Sequence, residues 1–321
     1  AALPAKYPDF DANIDIVGVK NGALNLKTFE LLPKNPDNML TQSLATEYIP
    51  GARCPKFMDY LEFAQPDTEM RKFLQRLVGV TLAGENPETI FPFHYGQGKN
   101  GKSVFANVKA GIFGDYAKKI NVSAFLRSKT DGDRAKNEFF RAKSARMVWA
   151  SEPSKNVILD ESIIKDITGG EIIQARALYK ESIEFKPLFT PELIGNNKPL
   201  IKTADFGTWR RVLIIPWNVL IPPEKRIPIN LFTAELLTES AGILNWYLDG
   251  LRDYRANGFN IPAVISDAVN EYKNDSDLIS EFISSEIEFF APGGGVSISV
   301  PDAYMEFQKW LQETGSEDDY K

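Results

Sequence analysis

Eight consecutive residues, Gly96-Gln97-Gly98-Lys99-Asn100-Gly101-Lys102-Ser103, fit the phosphate-binding pattern G-x-x-x-x-G-K-[ST]. Glycines at this spacing let the backbone curl until successive N–H groups face a polyphosphate. A helix opening at the end of the loop adds the positive end of its dipole. In that arrangement Lys102 lies against the β- and γ-phosphates of ATP, the Ser103 hydroxyl ligates Mg²⁺, and Gly96 to Val104 make up the nucleotide contact. Three further places could serve the same chemistry. The apolar run Arg146-Met147-Val148-Trp149-Ala150 ends on Ser151-Glu152, so Glu152 could be delivered to the nucleotide edge of a parallel sheet, there to polarise water and help hold the metal. The stretch from Pro191 to Gly195 ends on Asn196-Asn197, and Trp209-Arg210-Arg211 precedes Val212 to Pro216. An amide and two guanidiniums at strand ends suit γ-phosphate sensing and charge stabilisation.

The elements needed to position these residues are also legible. The β-branched and aromatic run Thr89 to Tyr95 predicts a strand entering the loop, and Ser103 to Val108 predicts a helix leaving it, ending near Gly111 and Gly114. Phe73, Leu74, Leu77, Val78, Thr81 and Leu82 recur at helical spacing between Asp67 and Gly84. A charged helix is expected over Asp133 to Lys143 and a short one over Asp160 to Thr168. Two strands flanking Tyr179-Lys180-Glu181-Ser182 predict a hairpin with Lys180 at its tip. The apolar stripe from Phe232 to Arg255 predicts one long helix, followed by helical segments over Pro262 to Phe290 and Val300 to Thr314. Residues 1–66, rich in Pro, Asn and Asp, predict strands, turns and a short helix over Pro55 to Phe63.

The 321 residues, 43% of them hydrophobic, suffice for two or three domains and a full core. No apolar run reaches the length of a membrane span, which predicts a soluble protein. The N-terminus lacks an initiator Met and a signal-peptide pattern, so the chain reads as a piece of something longer. A single cysteine, Cys54, excludes an internal disulfide and suggests a reducing compartment, the cytoplasm of a host cell if the protein is viral. One His and one Cys cannot build a zinc site of the usual kind, and His94 reads as a packed or hydrogen-bonded strand residue. A net charge of -6 excludes a uniformly basic coat for nucleic acid, so DNA binding must rely on local basic groups.

Taken in order, several motifs resemble the superfamily 3 helicases, in particular the helicase half of phage, plasmid and poxvirus-type primase-helicases. They are the loop with Asn100-Gly101-Lys102-Ser103, the strand ending in Ser151-Glu152, Ile167-Thr168-Gly169-Gly170-Glu171 with Ala175-Arg176 and Leu178-Tyr179, Asn196-Asn197-Lys198-Pro199, and Gly207-Thr208-Trp209-Arg210-Arg211. Upstream, Asn21 to Leu26 and Cys54-Pro55-Lys56-Phe57 look like the domain that precedes the ATPase there; downstream, Gly242 to Leu251 looks like its lid. The resemblance implies an α/β, AAA+-type phosphate-loop ATPase core over residues 67–225, a mainly parallel sheet flanked by helices. It also implies a small N-terminal accessory domain over 1–66 and a helical lid over 226–321. Such a protein hydrolyses ATP with Mg²⁺ and encircles single-stranded DNA as a ring, commonly a hexamer, with a primase or polymerase domain elsewhere in the full-length chain. By position, Lys102 and Ser103 hold phosphate and metal, Glu152 is the catalytic acid, Asn196 or its neighbour Asn197 is the polar sensor, and Arg210 or Arg211 reaches the next subunit's nucleotide. Lys180, with Arg176 nearby, lies on the hairpin that touches DNA. Many phosphate-loop ATPases carry two acids where this chain has Ser151-Glu152. Metal ligation here must therefore lean on Ser103, water and Glu152.

Overall fold

Apolar residues on alternating positions of five strands face two different cores, and that alternation organises the molecule. The structure, a computed structural model, describes residues 10–127, 132–155, 157–176, 182–201, 206–276, 278–288 and 297–314. The chain opens with an antiparallel meander of β1 (Ile16–Val19), β2 (Gly22–Asn25) and β3 (Leu31–Leu32). Two helices follow. In α1 (Pro55–Ala64) a proline occupies the first turn, where a missing N–H costs nothing, and Phe57, Tyr60, Leu61 and Ala64 form its buried stripe. In α2 (Thr68–Ala83) the Asp67 carboxylate accepts the amides of Glu69 and Met70 as an N-cap.

The central layer is then assembled from β4 (Phe91–Tyr95), α3 (Lys102–Phe113), β5 (Ala117–Lys119), α4 (Gly132–Arg141), β6 (Met147–Ser151) and α5 (Glu161–Thr168). A hairpin of β7 (Ile173–Arg176) and β8 (Ser182–Phe185) interrupts it. β9 (Thr190–Gly195), α6 (Phe206–Trp209) and β10 (Val212–Pro216) complete it. The sheet is wholly parallel, in the order β10-β4-β9-β6-β5. Parallel strands covered on both faces read as near-continuous apolar runs, and every residue of β9 is buried. On one face Phe91, Phe93, Val148, Ala150, Leu193, Val212 and Ile214 join a core with α4, α5 and α9 (Ala263–Asp275). On the other, Met147, Leu213 and Ile215 join a core with α3. The mainly parallel, helix-flanked sheet expected from the sequence is present.

The second core does not stop at the expected domain limits. It takes in Val17, Val19, Leu24 and Leu26 of the meander, Phe57 and Leu61 of α1, most of α2, and Ile243, Tyr247 and Leu251 of α8 (Ser240–Asn257). Within it α2 and α8 pack so closely that a Cβ at Gly79 would lie 2.3 Å from the Leu251 nitrogen, and one at Gly250 would lie 2.0 Å from the Gln75 carbonyl oxygen. Gly79→Ala is therefore expected to cost about 1–3 kcal/mol by forcing the helices apart, read as a lower midpoint of urea unfolding.

The stripe from Phe232 to Arg255 is not one helix. It is α7 (Ile229–Leu237) followed by α8, broken at Thr238 and Glu239. The Glu239 carboxylate turns back to accept the amides of Lys56 and Phe57 at 3.3 and 3.1 Å, capping α1, whose Cys54 N-cap makes no side-chain bond. The chain closes with α10 (Leu278–Glu286) and α11 (Val300–Glu313), which share a small cluster of Phe282, Phe307, Trp310 and Leu311. No helix of the described residues is long and apolar enough to cross a membrane.

Candidate active site

The loop leaving β4 turns tightly because Gly98, Lys99 and Gly101 all take positive φ, at 96°, 53° and 90°. Gly101 serves as the N-cap of α3 without a side-chain acceptor, and a Cβ there would also press on Tyr60 and Ala64 at 3.2 Å. Hydrogen bonds to residues outside the loop staple it in place. Asn100 donates through Nδ2 to the Trp217 carbonyl at 2.8 Å, and the Tyr60 hydroxyl donates to the Gly101 carbonyl at 2.9 Å. The Gln65 amide donates to the Pro216 carbonyl at 2.9 Å, fixing the strand end on which the loop leans.

Lys102 begins α3 and is 3% exposed. Its Nζ donates to the Gly96 carbonyl at 3.0 Å and to Asn196 Oδ1. Burial pulls its pKa below the ordinary lysine value, and the Glu152 carboxylate works against that. Because β9 sits between β4 and β6, the residue that follows it, Asn196, stands between the loop and Glu152 at the carboxyl edge of the sheet. Glu152 is exposed, holds φ at 58° and donates its amide to the Ile194 carbonyl at 2.8 Å. Left-handed φ at a non-glycine residue is uncommon and gathers at functional sites. Ser103, half-buried, lies in the first turn of α3. Ammonium, amide, hydroxyl and carboxylate thus converge where a nucleotide polyphosphate would lie against the open N-terminus of a helix.

Residues 1–66 match a family described as D5 N terminal like. A protein of Acanthamoeba polyphaga mimivirus named as a helicase is 29% identical over 328 residues, spanning 95% of this chain and 34% of its own length. One of Frog virus 3, also named as a helicase, is 27% identical over 79% of this chain and 28% of itself. An African swine fever virus protein named as a primase is 24% identical over 63% of this chain and 22% of itself. The apo structure of the NrS-1 C-terminal region superposes with a TM-score of 0.55 at 15% identity, covering 87% of this chain and 66% of that one. The chain is related to viral helicase–primase replication proteins. It spans about a third of the length of the curated relatives it matches. This is the likeness its motifs carry, to the helicase portion of a primase-helicase.

The paired candidates separate. Asn196 meets Lys102, whereas Asn197 donates through Nδ2 to the Pro153 carbonyl at 3.0 Å and braces the turn after β6. Arg211 is buried, bonded to the Gly207 carbonyl and, through Nε at 3.2 Å, to the Thr168 hydroxyl. Arg210 is exposed. Both arginines precede β10, at the edge of the sheet opposite the loop, about 16 Å from it for a five-residue strand. They are not brought to the site of their own chain. Arg176 ends β7, and Lys180 lies outside the described residues.

Tyr60, Gln65 and Trp217 carry no signal in the sequence, because nothing in their local pattern says that α1 and the end of β10 touch the loop. Lys109 and Glu192 carry none either. Burial alone would raise the Glu192 carboxyl, but the Lys109 ammonium and His94 hold it down at about 2. Burial keeps His94 below its usual 6.5, against the pull of Glu192 and with Lys109 and Lys102 adding to the depression. Both groups bind protons less readily folded than unfolded, so stability is present at neutral pH and lost on acidification. The urea midpoint is expected to fall as pH drops below 6.5, and again between about 4.5 and 2. His94→Gln should flatten the upper step; an unchanged upper step would show that another group produces it.

Proposed function

We propose that this chain is the motor of a replicative DNA helicase, hydrolysing ATP to move along single-stranded DNA as a ring, and that it forms the helicase portion of a longer primase-helicase. The carrying observation is the buried Lys102 ammonium, held by Gly96 and Asn196 with Glu152 on the same sheet edge. On nucleotide binding Lys102 exchanges those two partners for phosphate oxygens, which frees the Asn196 amide to orient the water or the γ-phosphate. Glu152 polarises the attacking water. Mg²⁺ is commonly held by one or two protein groups plus phosphates and water, here Ser103 and Glu152. When bound, the ion neutralises charge on the phosphates.

Arg210, exposed and far from its own loop, supplies the charge to a neighbouring subunit's site, in a ring proposed to be hexameric. Arg176 and Lys180, on the β7–β8 segment, contact DNA phosphates, so DNA affinity weakens with salt. Residues 1–66 form the accessory domain, 67–225 the motor core and 226–321 the lid, and the protein works in the cytoplasm of the host cell. The test is steady-state ATP hydrolysis with and without single-stranded DNA over a wide range of protein concentration. Turnover that rises with DNA, and more than linearly with protein, supports a motor whose sites form between subunits. Ser151, standing where a second acid is common, favours a second reading, a nucleotide-binding assembly module without motor activity. ATP bound and left intact at every concentration would favour the module.

A further inference from the structure

We propose that His94, Glu192 and Lys109 form a buried clamp that sets the phosphate loop against Asn196, and that His94 is a positioning residue for ATP hydrolysis. The clamp deepens the nucleotide-site reading above and rests on it. Each of the three side chains belongs to an element that carries a site group. His94 lies two residues before Gly96 on β4, Lys109 lies two turns after Lys102 on α3, and Glu192 lies on β9, which leads to Asn196. All three are 2% exposed or less. His94 and Glu192 face the α3 side of the sheet, because Phe93 and Leu193, their strand neighbours, face the other core.

Lys109 Nζ reaches the two Glu192 oxygens at 2.6 and 2.5 Å, so the buried charges answer one another. Neither requires the imidazole for charge balance. His94 instead extends the cluster toward the loop. Its Nδ1 accepts from Trp217 Nε1 at 3.1 Å, which leaves the proton of the neutral ring on Nε2, 3.4 Å from Glu192 Oε2. Trp217 continues the connection through its backbone: its N–H donates to the Tyr95 carbonyl at 2.8 Å, and its carbonyl accepts Asn100 Nδ2 within the loop. Phe105 of α3 packs beside His94 and Trp217, with ring centroids 5.9 and 5.5 Å away, and lies under the Lys109 ammonium at 5.3 Å. In so dry a setting a carboxylate orients its donors strongly.

The hydrogen-bonded path runs from an imidazole held in one tautomer to the amide that staples the loop, and the buried Nε2, which has no hydrogen-bond partner, is aimed at the carboxylate of the sensor strand. The 3.4 Å His94–Glu192 contact is longer than a well-made hydrogen bond, and such contacts at catalytic sites often tighten when ligand binds.

Two substitutions separate positioning from mere filling. His94→Gln retains one donor and one acceptor, whereas His94→Leu retains bulk and loses both. Amide hydrogen exchange of the nucleotide-free chain should quicken at 96–102 and 195–197 in His94→Leu, stay near wild type in His94→Gln, and remain unchanged along α2 and α8 in both. In ATP hydrolysis His94→Leu should lose about 10- to 100-fold in kcat with a smaller change in KM, and His94→Gln should restore most of it. Should His94→Leu fail to fold, the paired change Lys109→Met with Glu192→Met removes both buried charges together and should show the same local quickening. Equal exchange at the loop in wild type and these variants overturns the clamp. A wild-type chain that never hydrolyses ATP overturns the motor reading instead, and the exchange comparison still decides the clamp.

Discussion

Lys102→Ala is expected to hydrolyse ATP at least about 10²-fold more slowly than wild type while remaining folded. The two halves of that expectation have separate grounds. Lys102 is the buried cation at the mouth of α3, and a preorganised charge in a site shielded from water is worth far more to a transition state than the same charge in bulk solvent. The same burial disfavours its charged form, as the lowered pKa records, so removing the ammonium relieves a cost to the folded state. The Gly96 carbonyl and the Asn196 amide lose their donor, but Asn196 is exposed and can turn to water. The unfolding midpoint should hold or rise while turnover collapses. Unchanged turnover in a folded Lys102→Ala chain would remove the loop from the chemistry.

The loop was readable because its chemistry is local: eight adjacent residues carry the donors, the hydroxyl and the glycines together. The five sheet strands were readable for a related reason. Burial on both faces leaves apolar runs that stand out against Asn- and Gly-rich ends, as in β9 and β10. What the sequence does not carry is the distance between runs. Glu192 sits inside a strand that otherwise reads as plain core, and only the parallel pairing of β4 with β9 brings it to His94. Tyr60 and Gln65 belong to a helix that local pattern assigns to the N-terminal piece, yet both bond groups at the site. The break between α7 and α8 is hidden because the apolar stripe runs through it, and the partner that Glu239 caps there, α1, lies more than 180 residues away in sequence. The two arginines look equivalent in the chain and are not: one bonds inward across α5 and α6, and the other faces solvent.

That difference yields the second large expectation. Arg210→Ala should bind ATP as wild type does and lose about 10³-fold or more in hydrolysis, because an arginine supplied across an interface acts mainly on the charge that develops during phosphoryl transfer. Arg211→Ala should instead lose stability. Removing its guanidinium strips bonds from the Thr168 hydroxyl and the Gly207 carbonyl, at about 1–3 kcal/mol for buried groups left unpaired. Calorimetric unfolding and ATP titration tell the two apart. A mixing experiment then tests the interface itself. Lys102→Ala chains carry an intact Arg210 and a dead loop; Arg210→Ala chains carry the reverse. If each site is completed by its neighbour, combining the two inactive proteins places a wild-type loop beside a wild-type Arg210 at some interfaces, and hydrolysis returns. If Arg210 serves its own chain, every interface in the mixture stays as inactive as its parents, and if it serves no site, Arg210→Ala alone keeps wild-type turnover; either result sinks the assignment of Arg210. The first outcome would join two groups that lie at opposite ends of one parallel sheet within a single chain.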